Sequence, residues 1–321
     1  MKTIKNLPLV HLLPLAEIEE QRPVLLVTSA SAWRAVQSKL HLPIAAQIEI
    51  TEATTEHWDQ HLLPFTLQTH PPFAVVYAVG GGLVVDAAKY AATQFRLPLV
   101  SLPTALSVDA FLTAASGIRR DGCVVYIETK VPDTLFLDLA VIAAAPPSIR
   151  AAVICDLLSI ATGCWDWQFA EERGKNPPGL AYIPWVAQNA QSILHGALDC
   201  AEAAGRGDHA GLKTLFDCLA LEVQLCNQIG HSRPEEGSEH YFAYAVENVM
   251  GHGLPHGDLV GPGILIAAQR QGQATDELER ALNACNIPLQ NIPPQVIAQT
   301  LQALPAYCIK HQLWYSRSHE A

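Results

Sequence analysis

The sequence predicts an α/β domain built on a parallel sheet, followed by an all-helical domain. In the first half of the chain, short apolar runs alternate with helical segments, which is typical of a parallel sheet covered by helices on both faces. From about residue 146, long stretches of Ala, Leu, Glu and Gln broken by Gly and Pro indicate consecutive helices. We therefore place a boundary near residue 145, between domains 1–145 and 146–321, and expect a ligand cleft between them.

Composition and charge narrow the class of protein. The chain has 321 residues, 50% of them hydrophobic and 16% charged, which is enough for two domains with substantial cores. A net charge of -11 argues against nucleic acid or a membrane as a partner, and no run approaches the roughly 18 apolar residues of a membrane-spanning helix. Eight cysteines without a CxxC pair are typical of reduced core thiols in a cytoplasmic protein. We expect a small-molecule ligand captured by a local site.

Five apolar runs are predicted as strands, and two helices are predicted among them. The helices cover residues 31–40 and Leu83 to about Gln94. The strands are Val24–Ser29, Ala46–Ile50, Phe73–Val79, Leu97–Leu102 and Cys123–Ile127. Ligands of parallel sheets bind beyond the carboxyl ends of the strands, so the loops at those ends are the first places to search for a site.

Three consecutive glycines, Gly80, Gly81 and Gly82, lie where the third strand gives way to a helix. Without side chains they leave the first N–H groups of the helix open, and such a corner binds phosphate. Glycines of this kind can also serve only to turn the chain, so the pattern leaves both interpretations open. Asp86 and Lys89 follow on one helix face as candidate cofactor contacts, although Asp86 near the helix start equally suits a structural role.

A second polar loop follows the fourth strand. The segment SLPTALSVDAF offers Thr104, Ser107 and Asp109 within six residues. Ser and Asp are ordinary turn residues, so this loop is informative only together with the glycine corner. Neighbouring strands of one parallel sheet would present both loops at the same edge.

Three residues far apart in the chain are candidate metal ligands: Asp156, His240 and His256. Asp156 lies in an apolar helical stretch, where a carboxylate is costly unless it is paired or coordinated. One carboxylate and two neutral imidazoles leave a divalent metal with open positions, as in a catalytic site. His252 is a rival for His256, although Gly253 and Pro255 between them argue against a shared helix face.

Five segments of the chain, taken in order, carry a family resemblance: GGGLVVDAAK, PTALSVD, DTLFLDLAVIAAAPPSIRAAVICDLLS, SRPEEGSEHYFAYAVE and HGLPHGDLVGPGILI. They resemble the sn-glycerol-1-phosphate dehydrogenases, which belong with glycerol dehydrogenases, iron-containing alcohol dehydrogenases and dehydroquinate synthases in one fold group. The resemblance covers roughly residues 24 to 272. It implies a dehydroquinate synthase-like fold, in which a Rossmann-like dinucleotide-binding domain precedes a helical metal- and substrate-binding domain.

The resemblance also implies roles for individual residues. It places Asp109 and Asp156 on the substrate as catalytic residues, with Arg233 and Tyr244 as further substrate contacts. It implies that zinc, or another divalent metal such as Ni²⁺ or Fe²⁺, is held by Asp156, His240 and His256. The implied contacts to NAD or NADP are Gly81, Gly82, Asp86, Thr104, Ser107 and Thr113.

The implied chemistry is hydride transfer between a nicotinamide and the C2 carbon of dihydroxyacetone phosphate or glycerol 1-phosphate. The metal polarises the carbonyl, and a proton arrives through water or Asp109. The family commonly assembles as dimers or larger oligomers, so we expect a homo-oligomer.

Several departures from the family pattern keep alternatives open. Cys155 stands where the family usually has Gly, and Tyr244 stands where many members have His. Arg233 is the only Lys or Arg between Ile229 and Leu265, which is little help for a doubly charged phosphate. A glycerol or other polyol dehydrogenase, a dehydroquinate synthase-like lyase and a member with lost or changed chemistry therefore remain alternatives. The lyase would want a glutamate at the Asp156 position.

Overall fold

The computed structural model describes residues 6–68, 71–121 and 123–320, which form two compact units. The α/β unit runs to Arg120 and includes Val124–Ala145. The helical unit begins at Pro146 and includes Asp121 and Cys123.

The α/β unit contains eight strands and four helices within the described residues, counting one strand that begins at Cys123. The helices are α1 (Ala30–Val36), α2 (Thr55–Thr66), α3 (Gly82–Phe95) and α4 (Leu139–Ala143). The strands are β1 (Leu9–Leu12), β2 (Val24–Thr28), β3 (Ile44–Glu49), β4 (Val75–Gly80), β5 (Leu99–Pro103), β6 (Ala115–Arg120), β7 (Cys123–Glu128) and β8 (Thr134–Leu137).

Six of these strands form one parallel sheet in the order β1-β8-β5-β4-β2-β3. Every residue of β2, β4 and β5 is buried, because helices cover both faces of a parallel sheet. The predicted parallel sheet is therefore confirmed. Four of the five predicted strands belong to it, and their observed ends differ from the predicted ones by at most two residues.

The expectation for Cys123–Ile127 was wrong in one respect. These residues do form a strand, β7, but it pairs with β6 in a separate two-stranded sheet rather than joining the parallel one. Its residues are only partly buried, unlike those of the central strands. Sequence reasoning also missed β1, β8 and α2; β1 and β8 have only four residues each.

The described residues from Pro146 to Glu320 form helices and connecting loops and no strand, as predicted. Glycines in the left-handed conformation end α7 at Gly207 and α8 at Gly230. Its helices are α5 (Pro147–Arg150), α6 (Ile154–Glu172), α7 (Pro184–Arg206), α8 (His209–Ile229), α9 (Ser238–Met250), α10 (His256–Arg270), α11 (Asp276–Ala284) and α12 (Pro294–Lys310).

The cysteines lie where the composition predicts them. All eight cysteines are buried thiols, as predicted. Among the described helices, none is both long enough and apolar enough to traverse a lipid bilayer.

Candidate functional site

Three helix starts in the helical unit bring the predicted metal ligands together. Asp156 lies in the first turn of α6, His240 in the first turn of α9, and His256 is the first residue of α10. One potential ligand atom from each lies within 4.8 Å of the others. His256 Nε2 is 2.7 Å from Asp156 Oδ1, and the two imidazole centroids are 5.4 Å apart. We call these three residues the metal triad.

One oxygen of the Asp156 carboxylate, Oδ2, is buried without a hydrogen-bond partner among the described residues. The side chain is nearly fully buried. Leaving a buried charged oxygen unpartnered costs several times the free energy of a typical hydrogen bond, so native sites of this kind are usually satisfied by water, an ion or a ligand. The side chain of His256 is 28% exposed, which leaves the triad open on one side. The donor set therefore fits a divalent cation.

Glu239 fixes the orientation of His240. It is fully buried, and its Oε1 lies 2.9 Å from His240 Nδ1 and accepts the Gly237 N–H at 2.6 Å. Its Oε2 accepts the Thr162 hydroxyl at 2.6 Å. Because an anionic acceptor favours the proton on Nδ1, the Nε2 lone pair of His240 is left for the metal.

The charge around His240 favours a cation. Burial opposes protonation, but the hydrogen bond to Glu239 and the charges of Glu239, Glu236 and Asp156 outweigh it and raise the pKa of His240 to about 9. The triad therefore holds a proton tightly when it holds no metal. A divalent ion can take the place of that proton.

Asp166 anchors the start of α9. Its Oδ2 accepts the Ser238 N–H and its Oδ1 accepts the Arg317 N–H, both at 2.7 Å. Burial, together with the charge of Glu239, raises the pKa of Asp166 to about 6. Sequence reasoning missed both Asp166 and Glu239. The rule that singled out Asp156, a carboxylate in an apolar helix, applies equally to Asp166 between Trp165 and Trp167.

A glycine lets α9 and α10 approach closely. A Cβ on Gly263 of α10 would lie 2.6 Å from the backbone oxygen of Glu239 on α9. Because real Cβ atoms never come that near to a backbone oxygen, only glycine permits this spacing. The approach brings His240 and His256 to the same point.

Tyr244 and Arg233, which were predicted as further substrate contacts, lie in different surroundings. The Tyr244 hydroxyl donates to Glu236 Oε1 at 3.0 Å, and its ring centroid is 6.2 Å from that of His240. Arg233 is fully buried, and its guanidinium donates to the backbone oxygens of Asp166 and Tyr315 at 3.1 and 3.2 Å. Tyr244 therefore lies beside the metal triad. Arg233 instead binds backbone oxygens in the interior of the helical unit.

The segment 174–179 contributes to the environment of Arg233. Asn176 Oδ1 lies 3.4 Å from the Arg233 guanidinium, and its amide donates to Glu171 Oε2 at 2.7 Å. The segment therefore ties the end of α6 to the loop before α9.

The two polar loops of the α/β unit meet at one edge of the sheet. Strands β4 and β5 are neighbours, with Gly80 opposite Pro103 in the register, so the loops that follow start side by side. A Cβ on Gly81 would lie 3.0 Å from Ser107 Oγ, and a Cβ on Gly82 would collide with Val108. Ser107 Oγ is buried and has no hydrogen-bond partner among the described residues. The open N-terminus of α3 and this hydroxyl fit an anionic dinucleotide.

Asp86 already has protein partners at this corner. Its Oδ1 pairs with Lys89 Nζ at 2.8 Å, and its Oδ2 accepts the Gly117 N–H at 3.1 Å. Burial raises the pKa of Asp86, while the Lys89 ammonium opposes that rise. Lys89 is fully buried and also donates to the backbone oxygens of Thr113 and Ala115. The pair ties α3 to β6, which is the structural role that the sequence left open.

The other predicted contacts of this unit lie in the same loop region. Asp109 begins a short 3-10 turn, Asp109–Phe111, and is partly exposed. Thr104 and Thr113 are also partly exposed, and Thr104 N–H lies 3.4 Å from the Gly80 oxygen.

Comparison with known proteins agrees with this fold. Residues 7–146 match the family model described as iron-containing alcohol dehydrogenase. A solved structure of glycerol dehydrogenase from Schizosaccharomyces pombe superimposes with a TM-score of 0.58 at 19% identity, over 90% of this chain and 84% of the other. Residues 7–146 therefore resemble that family, and the predicted dehydroquinate synthase-like fold is confirmed by the solved structures.

Curated relatives of the chain include glycerol-1-phosphate dehydrogenases (NAD(P)+), as the sequence motifs predicted. The relative from Sulfurisphaera tokodaii is 31% identical over 70% of this chain and 65% of its own length. The relative from Bacillus subtilis is 33% identical over 59% of this chain and 47% of its own length. The chain thus spans less than two thirds of the length of these relatives.

Proposed function

We propose that the chain is a metal-dependent NAD(P) oxidoreductase that transfers hydride between nicotinamide and the C2 position of dihydroxyacetone phosphate or glycerol 1-phosphate. The observation that carries the proposal is the convergence of Asp156, His240 and His256 from three helix starts. The names of the curated relatives support both the substrate and the cofactor.

Asp156, His240 and His256 are the proposed ligands of zinc, or of another divalent metal such as Ni²⁺ or Fe²⁺. Such an ion, when bound, polarises a carbonyl oxygen and stabilises the charge that develops on it during reduction. Glu239 holds His240 in the metal-binding tautomer. Asp156 and Asp109 are the proposed catalytic carboxylates, and the Tyr244 hydroxyl, held by Glu236, is positioned to contact the substrate.

We propose residues 1–145 as the dinucleotide-binding domain and residues 146–321 as the metal- and substrate-binding domain. Gly81 and Gly82 open the N-terminus of α3 to the pyrophosphate, and the buried Ser107 hydroxyl is available to a cofactor oxygen. Thr104 and Thr113 complete the proposed cofactor contacts, and the ion pair of Asp86 with Lys89 is proposed to hold α3 in place beside them. The nicotinamide supplies the hydride.

One observation favours a second candidate, a dehydrogenase of glycerol or another unphosphorylated polyol. The charges that act on His240 come from Glu239, Glu236 and Asp156, all of them acidic. Arg233, the nearest cation along the chain, is buried against backbone oxygens. A neutral hydroxyketone would meet less repulsion at this triad than a phosphate dianion. Nothing among the described residues adds support for the dehydroquinate synthase-like lyase.

A single assay series tests the proposal. Metal content is measured on the purified protein, and oxidation of NADH and of NADPH is followed with dihydroxyacetone phosphate and with dihydroxyacetone. We expect metal-dependent turnover that is faster with the phosphate ester. Faster turnover of dihydroxyacetone would favour the polyol dehydrogenase, and turnover that survives complete metal removal would overturn the metal assignment.

Homo-oligomeric assembly and a cytoplasmic location belong to the same proposal. They are supported by the resemblance to the family and by the buried reduced thiols. Light scattering coupled to gel filtration would give the mass of the assembly.

A further inference from the structure

A second group of metal-ligating side chains lies in the helical unit. Glu222 and Cys226 are four residues apart on one face of α8, and Glu235 lies in the turn between α8 and α9. One carboxylate oxygen from each glutamate and the Cys226 sulfur lie within 4.8 Å of one another. None of these residues belongs to the metal triad.

The Glu222 carboxylate is buried, and only one of its two oxygens has a hydrogen-bond partner among the described residues. Its residue is fully buried, and Oε1 accepts the Cys226 thiol at 2.9 Å. The other oxygen, Oε2, is buried and has no hydrogen-bond partner among the described residues. Buried carboxylate oxygens in native proteins rarely stay unpartnered, since an unmade hydrogen bond to a charged group is expensive.

The turn that carries Glu235 is held firmly. Its N–H donates to the Ser232 oxygen at 3.0 Å, and the Cys164 thiol of α6 donates to the Pro234 oxygen at 3.3 Å. A Cβ on Gly163 would lie 3.0 Å from the Glu235 carbonyl carbon, so the glycine allows the turn to rest against α6. The backbone that carries Glu235 is therefore held in place beside α6 by the fold.

We propose that Glu222, Cys226 and Glu235 bind a second divalent cation, of the zinc class. Zn²⁺ accepts both thiolate and carboxylate ligands, whereas Mg²⁺ and Ca²⁺ take oxygen ligands and Cu⁺ prefers sulfur. On binding, the Cys226 thiol loses its proton to solvent and forms the metal–sulfur bond. With both carboxylates ionised and the Cys226 thiol deprotonated, the site with bound Zn²⁺ carries one net negative charge. Glu235 is partly exposed, which provides an entry path.

The role of this cation is structural. It joins α8 to the turn that leads into α9, where Ser238 and His240 follow within five residues. The second site rests on its own ligands, so it stands or falls separately from the proposed dehydrogenase activity.

Cobalt substitution distinguishes the second site from the metal triad, because only the second site has a sulfur ligand. A thiolate bound to Co²⁺ gives an intense charge-transfer band in the near ultraviolet, and the metal triad contains no sulfur ligand. We expect the full chain, stripped and reloaded with Co²⁺, to show this band and to bind a second equivalent of cobalt. Cys226→Ser should lose the band and that equivalent, whereas His240→Ala should lose the other equivalent and keep the band.

Two further variants complete the test. Cys164→Ser, which removes a neighbouring buried thiol outside the cluster, should keep the band. Glu222→Gln preserves the shape of the side chain and should weaken cobalt binding at this site, so the test survives a Cys226 variant that fails to fold. A wild-type protein without the band, or a band that persists in Cys226→Ser, would overturn the proposal. A band in a protein that reduces no substrate would instead count against the dehydrogenase activity.

Discussion

Asp86 beside the glycine corner of the α/β unit and Asp156 of the metal triad in the helical unit are both largely buried carboxylates, but they differ in the partners of their oxygens. Asp86 has an ion pair with Lys89 on Oδ1 and accepts a hydrogen bond from the Gly117 N–H on Oδ2. Asp156 has His256 on one oxygen and no hydrogen-bond partner on the other among the described residues. A buried carboxylate already satisfied by the protein indicates a structural role, and one left partly unsatisfied indicates a ligand.

The largest expected effect comes from removing a triad histidine. His240→Ala should abolish binding of the triad cation and turnover, because the remaining two donors cannot hold a cation tightly. Metal analysis and a turnover assay measure both losses. Circular dichroism should remain close to that of the wild type, and retained turnover would exclude His240 as a ligand.

Asp86→Asn should act chiefly on stability. Lys89 is fully buried, and removing its counter-charge leaves an uncompensated ammonium, which costs about 3 kcal/mol or more in comparable buried pairs. Urea unfolding would measure the loss. Ser107→Ala is the matched comparison, because its hydroxyl has no described partner to lose, and it should weaken NAD(P) binding while leaving stability almost unchanged. The reverse pattern would make Asp86 the cofactor ligand.

Glu239→Gln should have a smaller and more specific effect. Residues that orient a metal-bound histidine typically contribute ~10- to 100-fold to metal affinity. We expect a loss in that range for the triad metal, with a smaller loss for Thr162→Val, which removes only one of the donors to Glu239. Glu171→Gln, at the exposed end of the same helix as Thr162, is the control and should leave the affinity unchanged. Equal affinity in Glu239→Gln and the wild type would reduce Glu239 to a packing residue.

The sequence was sufficient for the features that local chemistry determines. Four of the six parallel strands were readable because they are continuous apolar runs, and the triad was found through its resemblance to known motifs and the cost of burying Asp156. β6 was not predicted and β7 was expected in the parallel sheet, because strand pairing depends on contacts that no short segment contains. Glu239 and Asp166 were missed because their importance lies in which backbone N–H groups and which imidazole they meet, and these are distant in sequence.

A further expected effect is a change in the pH dependence of stability. The pKa of His240 in the metal-free protein is about 9, above the reference value of 6.5. The stabilisation from its protonation is therefore complete below about pH 6.5 and is lost as the pH rises toward 9. Melting temperatures of the stripped protein should fall across this window. The pKa of Asp166, about 6, lies below it, so that carboxyl contributes little to the slope there.

The metal-bound protein should show the opposite trend, because the metal must displace the His240 proton and binds more weakly as the pH falls. Activity should therefore decline on the acid side, beginning at a higher pH than the 6.5 of an unperturbed histidine if metal is limiting. His240→Ala is the control that removes this residue from both titrations. Parallel pH profiles for the stripped and the loaded wild-type protein would show that His240 does not exchange a proton for a cation. The metal triad would then no longer differ from the glycine corner as a ligand site.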